Sequence, residues 1–296
     1  MDDRRLAFTL LAALTVVWGL NWPVMRVGVL GVEPWTFRAF TTVFGGMVLL
    51  AAAYVNGQRI TVPRDQFRLI CMIAPVSIGG WMVFSALGLE HMASGRAAIV
   101  AYTMPLWAVI FARLLLDEPI TWRRVVGLAT GLAGMIVLIG GDLPAIGESP
   151  LGAIYMLCAA VTWGLGTVLF KRAPWRIPVP VIVGWQFLVL SVPITAVALI
   201  VEAPDFDYTA WSWFTIAYQI FAGALIGNYA WAKIVTLLPA GVAAISSLLI
   251  PVIGVVSGAL ILGEPVTWRE IVALACVIGA LAVVLIGPDT QARRTN

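Results

Sequence analysis

Charge is what this chain has least of. Only 11% of its 296 residues are Asp, Glu, Lys or Arg, and 61% are apolar. A soluble domain carries about 25% charged residues, so the composition is that of a membrane protein. There is one histidine, His91, and there are three cysteines. Cys71, Cys158 and Cys276 each stand alone in an apolar run, without a CxxC pair, and read as apolar filler. No metal and no cofactor is expected. HExxH, paired acidic motifs and phosphate-binding glycine loops are all missing, so no enzyme chemistry is legible. No Asp or Glu falls at mid-membrane depth, which weighs against a membrane-embedded enzyme and against a proton relay. Glu90 and His91, at one span end, are the only candidates and read as interfacial residues. No loop exceeds roughly 15 residues, too short for an independent core. The basic residues are scattered through loops, not gathered on one face, so nucleic acid is not an expected partner.

What the chain does have is apolar length. A spanning helix needs about 20 apolar residues. Segments of that kind run over Leu6–Val27, Trp35–Val55, Phe67–Leu89, Ser94–Leu116, Trp122–Ile139, Leu151–Phe170, Pro178–Val201, Trp211–Val235, Gly241–Leu262 and Trp268–Ile286. The first follows Arg4 and Arg5 like a signal peptide, but it continues past Trp18 without a cleavage site. An all-α polytopic membrane protein of about ten spans is predicted.

Basic residues orient it. With the N-terminus in the cytoplasm, that side collects Arg4, Arg5, Arg59, Arg64, Arg68, Arg113, Arg123, Arg124, Lys171, Arg172, Arg176, Lys233, Arg293 and Arg294. The outer side receives only Arg26, Arg38, Arg96 and Arg269, as the positive-inside rule requires. Both termini are expected to be cytoplasmic.

The second half also repeats the first. Glu118-Pro119-Ile120-Thr121-Trp122-Arg123 returns as Glu264-Pro265-Val266-Thr267-Trp268-Arg269. Gly95, Ala97, Ala98, Ile99 and Pro105 match Gly241, Ala243, Ala244, Ile245 and Pro251, and Trp18-Gly19 matches Trp163-Gly164. From Gly95 to Val126 about 14 of 32 positions are identical without a gap. Five spans per half put the two Glu-Pro turns on opposite membrane faces, so the repeat is predicted to be inverted. The Gly141–Pro150 stretch divides the halves, giving repeats of 1–141 and 142–296.

Candidate site residues follow from three features. Pro105 and Pro251 lie midway along spans four and nine, where each removes a backbone donor and bends its helix. The freed carbonyls are tolerable beside protein or a water-filled cavity. Trp35, Trp122, Trp175, Trp211, Trp213 and Trp268 sit at span ends as interfacial belts, whereas Trp18, Trp81, Trp107, Trp163 and Trp185 are interior. An interior indole N–H wants a partner, at a helix interface or a cavity wall. Polar residues share those faces: Asn21 after Trp18; Ser77 and Ser85 flanking Trp81; Tyr102 before Pro105; Thr167 after Trp163. Asn228 and Trp231 in span eight, and Ser246 and Ser247 in span nine, complete the set. The residues taken as substrate-binding are Trp18, Asn21, Ser77, Trp81, Ser85, Tyr102, Trp163, Thr167, Asn228 and Ser246. The competing reading is helix packing glued by small polar groups. Gly127 and Gly131 form a GxxxG read as close packing.

The duplicated pattern resembles the drug/metabolite transporter superfamily, EamA family. Trp18-Gly19 with Asn21, Trp163-Gly164, the Gly95/Pro105/Glu118-Pro119 series and the Gly241/Pro251/Glu264-Pro265 series carry the resemblance over essentially the whole chain. It implies ten helices as two inverted five-helix repeats, cytoplasmic termini in a bacterial inner membrane, and export of small metabolites by alternating access. It also implies a cavity formed by spans one, three, four, six, eight and nine, which leaves Trp185 in span seven outside. Within the family the chain looks most like the bacterial aromatic amino acid exporters, working as a monomer or weak homodimer. A cationic-drug exporter is the alternative; such a protein is expected to carry a deep carboxylate, and none is evident. A membrane-embedded enzyme is the second alternative.

Overall fold

The computed structural model describes residues 3–28, 31–91, 100–139, 150–202, 204, 206–250, 253, 260 and 268–285. Among the described residues there are helices and no strand. Gly95, Arg96, Pro251, Glu264, Pro265, Arg293, Arg294 and most of the divider lie outside them, as does the Glu90 side chain.

The helices are numbered in chain order. They are α1 (Asp3–Gly28), α2 (Pro34–Val55), α3 (residues 64–91), α4 (Met104–Leu116) and α5 (Trp122–Ile139). The second half gives α6 (Pro150–Arg172), α7 (Val179–Glu202), α8 (Ala210–Leu237), α9 (Ala240–Ser246) and α10 (Trp268–Leu285). Each predicted span is thus helical over most of its described part. Five of them, α2, α3, α6, α7 and α8, are long and apolar enough to cross a membrane. With no water in the hydrocarbon, a closed helix satisfies its backbone groups internally, and the sequence supplies apolar residues all round. This is a multi-pass membrane protein.

Three helices widen locally into π turns; the one in α7, Ala198–Glu202, lies at the helix end and the other two lie within their helices. In α3 the stretch Pro75–Gly79 forms a π-helical turn. Pro75 has no N–H and its ring meets the carbonyl four residues back, which widens the turn. In α8 the same wide winding runs over Gln219–Asn228. There Gly223 and Gly227 leave the backbone free, and Asn228 Nδ2 donates to the Gly223 carbonyl oxygen at 3.0 Å. Near Pro105 the helix breaks instead of bending. The Thr103 N–H reaches only three residues back, to the Val100 oxygen at 3.1 Å, before α4 begins at Met104. In the second half the Leu248 N–H makes the same short bond to Ile245 at 3.1 Å.

Glycines set the close helix crossings. A Cβ on Gly127 would lie 3.1 Å from the Ala280 oxygen, and one on Gly134 would lie 3.1 Å from the Ala273 oxygen. α5 and α10 therefore run antiparallel at backbone contact. α2 and α7 do likewise: a Cβ on Gly46 would be 2.9 Å from the Gly184 oxygen, and one on Gly184 would be 3.2 Å from the Gly46 oxygen. Between helices in lipid such van der Waals proximity replaces the hydrophobic force.

Candidate functional site

The duplicated Trp-Gly pairs build the centre. Gly19 of α1 lets the helix approach Ile250 and Ile253, where a Cβ would come 3.2 Å from the Ile250 oxygen. Gly164 of α6 does the same against Met104 and Trp107, with a Cβ 3.2 Å from the Met104 oxygen. In the register that aligns Gly95 with Gly241, Ile250 corresponds to Met104 and Ile253 to Trp107. The two crossings are the same contact made twice, each between one half and the other.

Each glycine is preceded by a tryptophan, and these meet. Trp18 and Trp163 lie 5.9 Å apart, edge to face. Trp163 also touches Trp81 of α3 at 5.5 Å and Trp231 of α8 at 5.9 Å, while Trp18 touches Trp231 at 6.1 Å. Four interior indoles from four helices thus form one cluster, with Trp163 at its hub. Such pairs contribute about 0.5–1.5 kcal/mol each beyond area burial.

On one side of this cluster lies a crevice of about 30 Å³. That is room for about two waters. Its walls are α3, α6, α7 and α8, and they include Ser77, Trp163, Thr167, Phe170, Val183, Gln186, Asn228, Trp231 and Val235. The polar members are neutral, and no ionisable group is among them. Local helix geometry fixes what they offer. Ser77 donates to the Ile73 oxygen at 2.9 Å, and Thr167 donates to the Trp163 oxygen at 2.9 Å. Their hydroxyl protons are used, so their oxygens present lone pairs. Two of the three π segments end up here, since Ser77 belongs to one and Asn228 closes the other. Gln186 differs. It is buried, and its Nε2 has no hydrogen-bond partner. An unmet buried donor costs about 1–3 kcal/mol.

Of the ten predicted residues, Ser77, Trp163, Thr167 and Asn228 line the crevice, and Trp18 and Trp81 back it through the indole cluster. The other four stand elsewhere. Asn21 is on α1 beyond the cluster, with its Oδ1 buried and unpartnered. Ser85 accepts from Arg38 Nη2 at 3.2 Å. Tyr102 is buried in an apolar cluster with Met104, Ile245 and Leu248. Ser246 is fully buried and donates to the Val242 oxygen at 2.9 Å within its own helix. Sequence reasoning named Trp231 but left it out of the site, and it missed Gln186. A lone glutamine in an otherwise apolar stretch of span seven was the available signal. His91 is exposed, with Nδ1 2.9 Å from the Leu87 oxygen, away from the crevice.

Next to Phe170 of the crevice wall, Lys171 of α6 ties two helices together. Its Nζ donates to the Val235 oxygen at 2.9 Å and to the Leu238 oxygen at 2.5 Å, holding the C-terminus of α8. Beside it, Glu118 is buried and pairs with Arg124 at 2.9 Å. The same carboxylate accepts from the Ala240 N–H at 2.7 Å at the start of α9. At the opposite end of the molecule Glu202 of α7 accepts from Trp35 N, Thr36 N and Thr36 Oγ1 at 2.8, 2.7 and 2.8 Å, capping α2.

The architecture has known relatives. An uncharacterized inner membrane transporter, YedA of Escherichia coli K12, is 28% identical over 288 residues, covering 95% of this chain and 90% of that one. A probable amino-acid metabolite efflux pump of Salmonella typhimurium is 23% identical and covers 95% of each chain. An uncharacterized transporter of Bacillus subtilis, YoaV, is 23% identical over 276 residues, covering 92% of this chain and 91% of that one. A solved crystal structure superposes with a TM-score of 0.84 at 22% identity over 95% of this chain and 96% of the other, which shows a shared fold. The profile of the EamA-like transporter family matches twice, over residues 5–140 and 150–286. With nearly the whole chain matched, in two consecutive copies, this protein is a membrane transporter belonging to the EamA-like transporter family.

Proposed function

We propose that the protein exports neutral amino acids, aromatic ones foremost, from the cytoplasm across a bacterial inner membrane by alternating access. The observation that carries this reading is the crevice: neutral hydrogen-bonding groups and indole faces with no ionisable residue in the wall. A zwitterion has both charges but no net charge, so neutral partners hold it without a fixed buried ion and release it readily. The name of the Salmonella relative points the same way. The described crevice is narrower than an amino acid, so binding goes with a more open state and release with another.

The transport path follows from a proposed architecture of two inverted five-helix repeats, 1–141 and 142–296, with cytoplasmic termini. Support comes from reciprocity. In the repeat register Gly127 corresponds to Ala273 and Gly134 to Ala280, so the two α5–α10 contacts exchange partners, as a two-fold axis demands. Trp18 and Trp163 meet near that axis. The basic-residue bias supports the orientation. Rocking one repeat against the other about this axis is the expected motion.

Proteoliposomes supply the test. They are expected to take up labelled phenylalanine or tryptophan faster than empty vesicles, and Trp163→Ala is expected to slow uptake several-fold at equal expression. A second reading, cationic-compound export, draws on the indole faces, which also attract organic cations. Movement of quaternary ammonium compounds without any neutral amino acid gives that reading the site.

A further inference from the structure

The crevice has a donor pole and an acceptor pole. α7 is apolar around its contact with the crevice, and Val183 and Gln186 reach it from one helical face, three residues apart. Trp185 points elsewhere, donating Nε1 to the Ile60 oxygen at 2.9 Å. Gln186 is 2% exposed, and its Nε2 has no protein partner among the described residues. A buried amide donor left unpaired in a cavity wall is a place where a ligand can supply the acceptor. Across the crevice the chemistry is reversed. Ser77 and Thr167 have given their protons to their own helices and keep oxygen lone pairs, and Asn228, with one Nδ2 proton engaged by Gly223, keeps its amide oxygen as an acceptor. Three oxygens suit the three N–H donors of an ammonium group, and the Trp163 and Trp231 faces suit its charge.

We propose that Gln186 recognises the substrate carboxylate, so that an amino acid lies with its carboxylate toward α7 and its ammonium group toward Ser77, Thr167 and Asn228. This rests on the amino acid export reading and adds the polarity of binding and a specificity residue on a helix that the resemblance leaves outside the cavity. An amide–carboxylate hydrogen bond in a dry site is charge-assisted, hence stronger than a neutral one. Losing it removes the distinction between an amino acid and its decarboxylated analogue. The neutral amide also tolerates release, because no fixed ion is left behind when the carboxylate departs.

The experiment compares L-phenylalanine with phenethylamine in the wild type, Gln186→Leu and Gln186→Glu. Both ligands are followed by quenching of tryptophan fluorescence in the purified protein and by uptake into proteoliposomes, with thermal melting as the check on folding. The wild type is expected to prefer phenylalanine about tenfold or more. Gln186→Leu is expected to lose that preference by weakening phenylalanine alone, leaving phenethylamine within about twofold of wild type. Gln186→Glu, which keeps the size and reverses the charge preference, is expected to favour phenethylamine. The wild-type measurement stands by itself if a variant does not fold: equal binding of the two ligands overturns the proposal. A Gln186→Leu protein that keeps the wild-type preference overturns it while leaving amino acid export intact. A wild type that binds and moves no neutral amino acid overturns both.

Discussion

The two ends of the molecule solve one problem by different chemistry. At each end a carboxylate from one half holds the N-terminus of a helix in the other. Glu118 of the first half bonds the Ala240 N–H of α9, and Glu202 of the second bonds the first turn of α2. Glu118 is 5% exposed and shares a buried guanidinium, whereas Glu202 is partly exposed and relies on N–H and hydroxyl donors. The first clasp also stands beside the Lys171 tether that holds the end of α8. The helix macrodipole favours a carboxylate at both ends, so the difference lies in burial and pairing. A buried ion pair is costly to break from one side, because the remaining charge has no water. A cap at the edge of the membrane loses a bond and regains solvent. The Glu118 end is thus built as the firmer closure in this conformation, and the Glu202 end as the softer one.

Three sets of substitutions sharpen the comparison, in descending order of effect. Glu118→Gln is expected to destabilise the protein by about 3 kcal/mol, since Arg124 stays buried without its counter-ion. Thermal melting in detergent measures it, and adding Arg124→Met is expected to restore much of the loss. If the single variant melts like the wild type, the buried pair is not what holds that end.

The next concerns the two Trp-Gly crossings. Gly164→Ala places a methyl 2.9 Å from the backbone nitrogen of Ala108, whereas Gly19→Ala meets the side chain of Ile253 at 2.5 Å. The Ile253 Cβ, 2.6 Å away, is fixed to its own backbone and cannot swing aside, so both variants are expected to cost about 2 kcal/mol. A clearly smaller loss for one variant, read from the same melts, would show that its crossing gives way more easily than the other.

The smallest effect is assigned to the softer end. Glu202→Gln retains one acceptor oxygen for the α2 N-terminus and gives up the charge, so about 1 kcal/mol is expected. A loss equal to that of Glu118→Gln would erase the distinction between the ends.

Much of this was legible beforehand. Apolar runs marked where each helix would lie, because a helix in lipid must be apolar over its whole length and the signal is dense. The Trp-Gly duplication pointed to the centre, and Trp18 and Trp163 do meet there. Ser77, Thr167 and Asn228 were found by helical spacing from interior aromatics, and they line the crevice. The same rule also gathered Ser85, Tyr102 and Ser246, which it could not separate from the rest. Serines that serve a neighbouring guanidinium or their own helix have the same spacing as serines that face a cavity.

The sequence by itself determined the membrane class, the run of helices, the duplication and the neutral aromatic character of the interior, because all four are written in local composition and period. Only the tertiary structure decided that Trp231 joins Trp18 and Trp163, that Glu118 reaches across to α9, and that Gln186 faces the crevice with its donor unpaired. Whether a polar group is satisfied depends on what stands opposite it, and that neighbour comes from another helix, far along the chain.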